Sequence, residues 1–436
     1  MTKKVKTGPE AAGARRARRD AERYLMNTYK RPPLVFVKGK GCYVYDDRGR
    51  VYLDFLGGIA VNALGYAHPR LVHVIRREAA RATHLSNLFH NEFQGPLARK
   101  LAEWSGMDRV FFTNSGAEAV EGALKLARIR ARQQNGAGGK TRILALENSF
   151  HGRTFGALSI TSTEKYREPY APLVPGAEFV RFNDVADLES KFDSGVCAVI
   201  IETIQGEGGV HPVSDAFWRR ARELATEYGA ALIADEIQCG LGRTGRHFAY
   251  QRFPSAPDVM PDVVVIAKPL AGGLPLGAVL ARESFASAFS PGLHGTTFGG
   301  GPLTCAVALE FLRTVEEEKL LENVRKRGEQ IKAGLQALKR QFNFIREIRG
   351  EGLILGLELD TEGAPYVAEA LGRGLIINCT HDFTLRFLPP FICGQEQVRE
   401  FLEKLETVFV KTRTAPGKPA AGSKKSERAE GAIPRR

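Results

Sequence analysis

Lys268 stands at the end of an apolar run, Asp262–Ala267. Lysines are rarely buried without a partner. Desolvation at a strand end lowers a lysine's pKa and leaves a nucleophilic amine. Gly272, Gly273 and Gly277 keep the space around it open. A second run, Ala230–Ala234, ends in Asp235-Glu236-Ile237-Gln238. A carboxylate there lies where open α/β sheets place ligands. Asp235 can keep a ring nitrogen protonated, and Gln238 can hydrogen-bond a ring hydroxyl. Asn114-Ser115-Gly116-Ala117-Glu118 joins a strand to a helix, with small residues that let an anion reach the backbone N–H groups and the positive end of the helix dipole. In Ser149-Phe150-His151-Gly152-Arg153-Thr154, Phe150 offers a flat face and Arg153 a fork for a carboxylate.

Taken singly, each feature has an ordinary explanation: a snorkelling lysine, a helix-capping Asp, a Ser-capped turn, a surface loop with a satisfied His. Together they meet one chemical need. A planar, phosphorylated aldehyde requires a phosphate cradle, a ring stack, an acid for the ring nitrogen and a Schiff-base lysine. Pyridoxal 5'-phosphate is such a cofactor.

The elements that must position these residues alternate strand and helix. Tyr43–Asp46 and Val51–Asp54 read as a hairpin around Gly49-Arg50, and Pro69 to Ala82 as a helix with Pro in its first turn. Val110–Phe112, Arg142–Leu146, Val196–Ile201, Ala231–Ala234 and Val263–Ile266 read as short buried strands, and Gly116–Gln134 and Asp215–Tyr228 as helices between them, the latter capped by Ser214. Near-continuous apolar strands between helices predict a mostly parallel sheet covered on both faces. Long helices follow near 303–340. Leu353–Leu359, Leu375–Ile377 and Thr384–Leu388 then alternate with helices at Tyr366–Leu371 and Glu396–Phe409, as a smaller α+β unit.

The ordered set NSGAEAVEGALKLAR (114–128), SFHGRT (149–154), ETIQGEGGV (202–210), ADEIQCGLGRTG (234–245), IAKPLAGGLPLGA (266–278) and HGTTFGG (294–300) resembles the class III, ornithine-type aminotransferases of the fold-type I pyridoxal-phosphate enzymes. The likeness runs from about residue 28 to 410. GGIAVNALG (57–65) and HLSNLFHNEFQG (84–95) are most similar to the acetylornithine branch. The resemblance implies a large domain with a seven-stranded sheet over 76–315 and a small domain from 24–75 and 316–410. It implies that Lys268 attaches the cofactor and moves the proton, and that Asp235 pairs with the ring nitrogen. Glu236, Ile237 and Gln238 complete that end, with Gln238 on the ring oxygen. It implies that Phe150 stacks on the ring, that Ser115, Gly116 and Ala117 hold the phosphate, and that Thr297 reaches the phosphate of a neighbouring subunit's cofactor in a homodimer. Arg153 would bind the α-carboxylate of the donor and Arg386 that of glutamate or 2-oxoglutarate. Glu207 would pair with Arg386 when another substrate is bound, and Thr296 would lie along the substrate. Two positions depart from the pattern: Gly301 where Asn is usual and Tyr66 where His is common.

The implied reaction moves the terminal amino group of N2-acetylornithine to 2-oxoglutarate, a step of arginine biosynthesis. Succinyl-diaminopimelate, free ornithine, 4-aminobutyrate and an acylated or carrier-bound lysine would use the same chemistry.

Composition bounds the alternatives. The 436 residues are 43% hydrophobic and 25% charged, an ordinary globular balance. Six scattered cysteines fit neither a disulfide framework nor a zinc knuckle, and nine histidines show no ligand spacing, so no metal is expected. A reducing cytoplasm is the expected home. No apolar stretch is long enough for a spanning helix, and the N-terminus has no secretory apolar region. Of the formal +13, residues 1–23 carry +5 and residues 411–436 carry +6, which leaves +2 for the body. Both tails read as disordered and solvated, with at most weak polyanion contacts and no nucleic-acid function for the body.

Overall fold

The computed structural model describes residues 12–136, 139–253 and 259–414. Its centre is a seven-stranded sheet. In chain order the strands are β1 (Arg109–Thr113), β2 (Arg142–Leu146), β3 (Ala177–Val180), β4 (Val196–Glu202), β5 (Ala231–Asp235), β6 (Val263–Ile266) and β7 (Gly277–Ala281). Their spatial order is β1-β7-β6-β5-β4-β2-β3. β7 is antiparallel to both neighbours, and the remaining pairings are parallel.

β4, β5, β6 and β7 are buried along their whole length. That explains their apolar runs, since helices cover both faces of a mostly parallel sheet. The sequence expectation omitted β3 and β7. β3 is an edge strand of four residues, half-buried over three of them, so it lacks the apolar signature. β7 opens on glycine and runs against its neighbours without a crossover helix to announce it.

Gly116–Asn135 is the helix after β1, and Ser115 caps it: the Ser115 Oγ accepts from the Glu118 N–H at 3.2 Å. Ser214 caps Asp215–Glu227 in the same way, accepting from the Phe217 N–H at 3.2 Å. Pro302–Glu317 begins at Gly301, which has no side-chain cap.

A four-stranded sheet joins distant parts of the chain. Phe36–Lys40, Tyr43–Asp46 and Val51–Asp54 form an antiparallel run, and Leu375–Ile376 adds parallel to its last strand. A second antiparallel sheet orders Ile345–Glu351, Ile354–Leu359, Thr384–Phe387 and Asn378–Thr380. Tyr66 lies against the first of these sheets, donating its hydroxyl to Asp54 Oδ2 at 2.5 Å.

The expected disorder of the N-terminal tail needs correction over Ala12–Tyr24, which is helical. Alanine and arginine are strong helix formers, and Arg16–Asp20 and Arg18–Glu22 make i,i+4 pairs at 3.6 and 3.7 Å. At the other end the helix Gln395–Thr414 continues through the first four residues of the expected tail. Residues 1–11 and 415–436 lie outside the described residues.

Candidate active site

A cavity of about 440 Å³ opens at the carboxyl ends of β5 and β6. Ser115, Gly116, Ala117, Phe150, Arg153, Asp235, Ile237, Gln238 and Lys268 line it, so nine of the expected residues converge from four segments.

At one end lies the start of the helix Gly116–Asn135. The first backbone N–H groups of a helix have no intrahelical acceptor. Gly152, at φ +141°, faces this turn, and a Cβ there would come within 2.9 Å of both the Ala117 and Ala157 methyl groups. A Cβ at Gly116 would come 2.9 Å from Ile237 Cδ1. Only glycine permits this close approach of loop, helix start and Ile237. The dipole, the free amides and the Ser115 hydroxyl make the turn suited to a phosphate.

At the other end stand titratable groups. Asp235 is 3% exposed; its Oδ1 accepts from the Ile237 N–H at 3.1 Å, and its Oδ2 lies 2.7 Å from His151 Nδ1. Burial lowers the pKa of the Lys268 ammonium; Glu207, Asp235 and Glu202 oppose this and Arg386 adds to it. The lysine amine is thus biased toward its free, proton-accepting form. Glu202, on the strand beside Asp235 and in register with it, also lines the cavity. Burial pushes Glu202 up to about 7, eased by His151 and raised further by Asp235.

Arg386 is fully buried on Thr384–Phe387 and ties Glu207 to the cavity residue Gln238. Its Nη1 donates to Glu207 Oε1 at 2.7 Å and to Gln238 Oε1 at 2.9 Å. Its Nη2 has no partner among the described residues. Burial pushes Glu207 up, but Arg386, Lys268 and Gln238 outweigh it and leave the carboxyl below its ordinary value. Arg153 differs. Its guanidinium lies 3.6 Å from the Tyr166 ring centre and 5.5 Å from that of Phe150, at the cavity mouth.

Five expected residues are not among those that line this cavity: Glu207 and Arg386 bond to its Gln238, and Glu236, Thr296 and Thr297 lie elsewhere. Glu236 points away, as strand alternation requires of the neighbour of Asp235. Its carboxylate accepts from the Thr203 hydroxyl at 2.7 Å and the Ala249 and Tyr250 N–H groups at 2.7 and 2.9 Å, so it braces a loop. Thr296 and Thr297 line a separate surface cavity beside Asn87 and His294, where Thr296 Oγ1 accepts from Asn114 Nδ2 at 3.1 Å. Conversely, His151 and Glu202 were given no role from sequence. The adjacent-strand ends at Glu202 and Asp235 carried the only available signal.

The cavity fits pyridoxal phosphate. Its size, the Phe150 and Ile237 side chains in its lining, the glycine-built cradle, and the buried acid with a lysine match a phosphorylated pyridine aldehyde. Among the described residues no cluster of three His, Cys, Asp or Glu side chains could hold a metal, and no helix is long and apolar enough to cross a membrane.

Comparison with known proteins agrees with this geometry. The family model "Aminotransferase class-III" matches residues 24–409. The acetylornithine aminotransferase of Caldanaerobacter subterraneus subsp. tengcongensis is 45% identical, covering 90% of this chain and 98% of its own length. That of Aquifex aeolicus is 44% identical, covering 88% of this chain and 100% of its own. Among solved structures, the ornithine aminotransferase of Toxoplasma gondii, described with partial occupancy of PLP at its active site, superimposes with a TM-score of 0.86 at 34% identity, over 92% of this chain and 95% of that one. The acetylornithine aminotransferase of Elizabethkingia anophelis gives a TM-score of 0.80 at 30% identity, over 91% and 99%. With these relatives and the lysine, acid and phosphate cradle in one cavity, the chain belongs to the class III aminotransferases, the pyridoxal-phosphate-dependent enzymes of that family.

Proposed function

We propose that this enzyme transfers the terminal amino group of N2-acetyl-L-ornithine to 2-oxoglutarate, giving N-acetylglutamate 5-semialdehyde and L-glutamate, as in arginine biosynthesis. The observation that carries the reading is the Arg386–Glu207 pair at 2.7 Å, with a guanidinium nitrogen left over. A ping-pong transaminase must hold one substrate with a carboxylate at this end and another without. Glu207 neutralises Arg386 for the second and yields it to the first. Arg153, free of any carboxylate among the described residues, takes the donor's α-carboxylate at the mouth.

Bound in the cavity, pyridoxal phosphate supplies the aldehyde that captures amines and the ring that takes up electrons. Ser115, Gly116 and Ala117 hold its phosphate, Phe150 and Ile237 hold its faces, and Gln238 meets its ring oxygen. Asp235 keeps a proton on the ring nitrogen. Lys268 Nζ takes the proton from the carbon bearing the departing amine and returns one on the far side of the exchange.

Three wider assignments belong to the same proposal. The enzyme works as a homodimer in which Thr297 reaches the partner's cofactor. Leu88 (86% exposed), Phe89 (71%) and Phe298 (66%) lie in the segments around Thr296 and Thr297, an apolar surface that a second copy would cover. The chain divides into a large domain over 76–315 and a small one from 24–75 and 316–410. It works in the cytoplasm, in keeping with six free cysteines.

The test is the absorption of the cofactor-loaded protein with N-acetylornithine and no oxo-acid. Rapid bleaching of the yellow form supports the reading, and 2-oxoglutarate should restore it. Free ornithine is added in parallel, because the Toxoplasma gondii ornithine aminotransferase is the structural likeness with a TM-score of 0.86. Faster bleaching by ornithine would reassign the donor.

A further inference from the structure

A short hairpin carries Glu207. Ile204–Gln205 pairs antiparallel with His211–Pro212, and Gly206, Glu207, Gly208, Gly209 and Val210 form its tip. Val210 is fully buried at φ +60°, a conformation that a β-branched residue keeps only where its surroundings impose it.

The constraint lies in the second antiparallel sheet. Arg349 stands in register with Gly356 on the next strand, and Gly356 with Arg386 on the one after. Residues directly opposite on antiparallel strands share a face, so one row presents arginine, glycine, arginine. Gly356 leaves a notch between the two. A Cβ there would come within 2.9 Å of Val210 Cβ, so the Val210 side chain fills the place of the missing one.

The two arginines grip the hairpin on either side of that notch. Arg386 holds the Glu207 carboxylate at 2.7 Å. Arg349 holds the backbone: its Nε donates to the Gly209 carbonyl at 2.7 Å. The rest of its guanidinium is fixed by the sheet. Nη2 donates to Thr384 Oγ1 at 3.0 Å, and Nη1 donates to Glu347 Oε2 at 2.8 Å and to Glu358. The Thr380 hydroxyl adds a bond to the Glu207 carbonyl. Arg349 already has two carboxylates and needs none from the hairpin, so its grip on the backbone stays when a substrate takes Arg386.

We propose that Arg349 is a positioning residue that keeps the Glu207 hairpin seated on the sheet while a substrate carboxylate occupies Arg386, so that Glu207 returns when that substrate leaves. A carboxylate on a seated loop competes with a free one through its effective concentration at Arg386. Freeing the hairpin lowers that concentration and shifts Arg386 toward dicarboxylates. Arg349 thereby sets the balance between the two substrates without touching either. The inference rests on the reading that Glu207 neutralises Arg386 for one substrate only.

The cofactor-loaded enzyme tests it in the forms R349M, E207Q and R349M/E207Q. Methionine keeps much of the apolar stem and removes every donor. Three readouts are followed: the rate of bleaching by N-acetylornithine, the rate at which 2-oxoglutarate restores the colour, and the dissociation constant of glutarate, a dicarboxylate with no oxo group to react, by calorimetry. R349M should bind glutarate roughly 3- to 10-fold more tightly and bleach roughly 3- to 10-fold more slowly, with the 2-oxoglutarate step within about twofold of the parent. A purely structural support would slow both steps and weaken glutarate. In the E207Q background R349M should leave glutarate binding unchanged, since Arg349 acts through Glu207.

An R349M enzyme that slows both steps alike, or binds glutarate no tighter than the parent, would overturn the proposal. So would a double variant in which R349M tightens glutarate by the same factor as it does alone. E207Q separates the two levels. If E207Q binds glutarate no tighter than the parent, the reading of the Glu207–Arg386 pair fails. If E207Q binds it more tightly and R349M does not, only the role of Arg349 fails. Should R349M not fold, V210G takes its place, alone and with E207Q, with the same expected and overturning results: glycine accepts the positive φ and empties the notch, which frees the hairpin by another route.

Discussion

Arg153 and Arg386 are both read as hooks for a carboxylate, and the fold treats them in opposite ways. Arg386 is fully buried on a strand and engaged to Glu207 and Gln238 at 2.7 and 2.9 Å. Arg153 is exposed on a loop, laid over the Tyr166 ring at 3.6 Å. Stranding a charge in a buried pair is costly, so a substrate carboxylate can take Arg386 only by replacing Glu207. An exposed one rests on an aromatic face at little desolvation cost and is available to any carboxylate that arrives. The first geometry suits a position used by one of two substrates in alternation. The second suits a constant recognition point at the entrance.

The largest expected effect comes from breaking the buried side. Arg386→Ala strands Glu207 and Gln238 and should cost about 3 kcal/mol of stability, the lower part of the range for a broken buried pair, because Glu207 is 32% exposed. Its kinetic signature should be one-sided. The half-reaction with 2-oxoglutarate should fall by roughly two to three orders of magnitude, and that with N-acetylornithine by much less. Equal losses in both half-reactions would remove the distinction between the two arginines.

Arg153→Ala should give the mirror image at smaller scale. The KM for N-acetylornithine should rise roughly 10- to 100-fold, from loss of one charge-assisted contact in a partly wet site, with kcat little changed. Stability should stay within about 0.5 kcal/mol, as for surface substitutions. A large fall in melting temperature would mean that Arg153 supports the loop as well as the substrate.

The ionic tie itself has a pH signature. Glu207 is held below its ordinary pKa, with burial outweighed by Arg386. A carboxyl lowered in the folded state contributes stability above its unfolded pKa and loses it as pH falls through the folded value. Glu207→Gln should therefore lower the melting temperature at neutral pH by roughly 2–4 °C per kcal/mol lost, and the gap should narrow only as pH falls beneath the ordinary glutamate value of about 4.3 and through the lowered folded one. Arg153→Gln should show no such pH-dependent gap. Parallel melts across that range compare the two directly.

The contrast also marks what the sequence could and could not tell. Lys268 and Asp235 are legible because a charged residue closing an apolar strand is rare, and the α/β pattern alone places it at the carboxyl end of a sheet strand. Arg386 had a role only through the resemblance, because its pairing with Glu207 spans 179 residues. His151 reaches Asp235 across 84 residues, and Glu202 meets Asp235 only through strand register; neither contact leaves a local pattern. Glu236 follows the last residue of β5, and its partners Thr203, Ala249 and Tyr250 are distant in sequence, so no local pattern announces them. The helix Ala12–Tyr24 was missed for another reason. The scarcity of large apolar residues there reads as disorder, while alanine and arginine favour helix and the Arg and acidic residues pair along it.

The smallest prediction probes the ring beneath Arg153. Tyr166 is half-buried, and its ring meets the guanidinium at 3.6 Å and the Phe150 ring edge-on at 6.4 Å between centres. Tyr166→Leu keeps an apolar floor and removes the quadrupole. A cation–π contact at such a site is worth about 0.5–1 kcal/mol, which corresponds to a KM for N-acetylornithine raised roughly two- to fivefold. The 2-oxoglutarate half-reaction should not change, since its hook is Arg386, held by Glu207 and Gln238. The double variant R153A/Y166L should be no worse than R153A alone, because the ring acts only through the arginine. An additive loss would show that Tyr166 meets the substrate itself, and the mouth would then recognise the donor by two contacts where the buried side uses one.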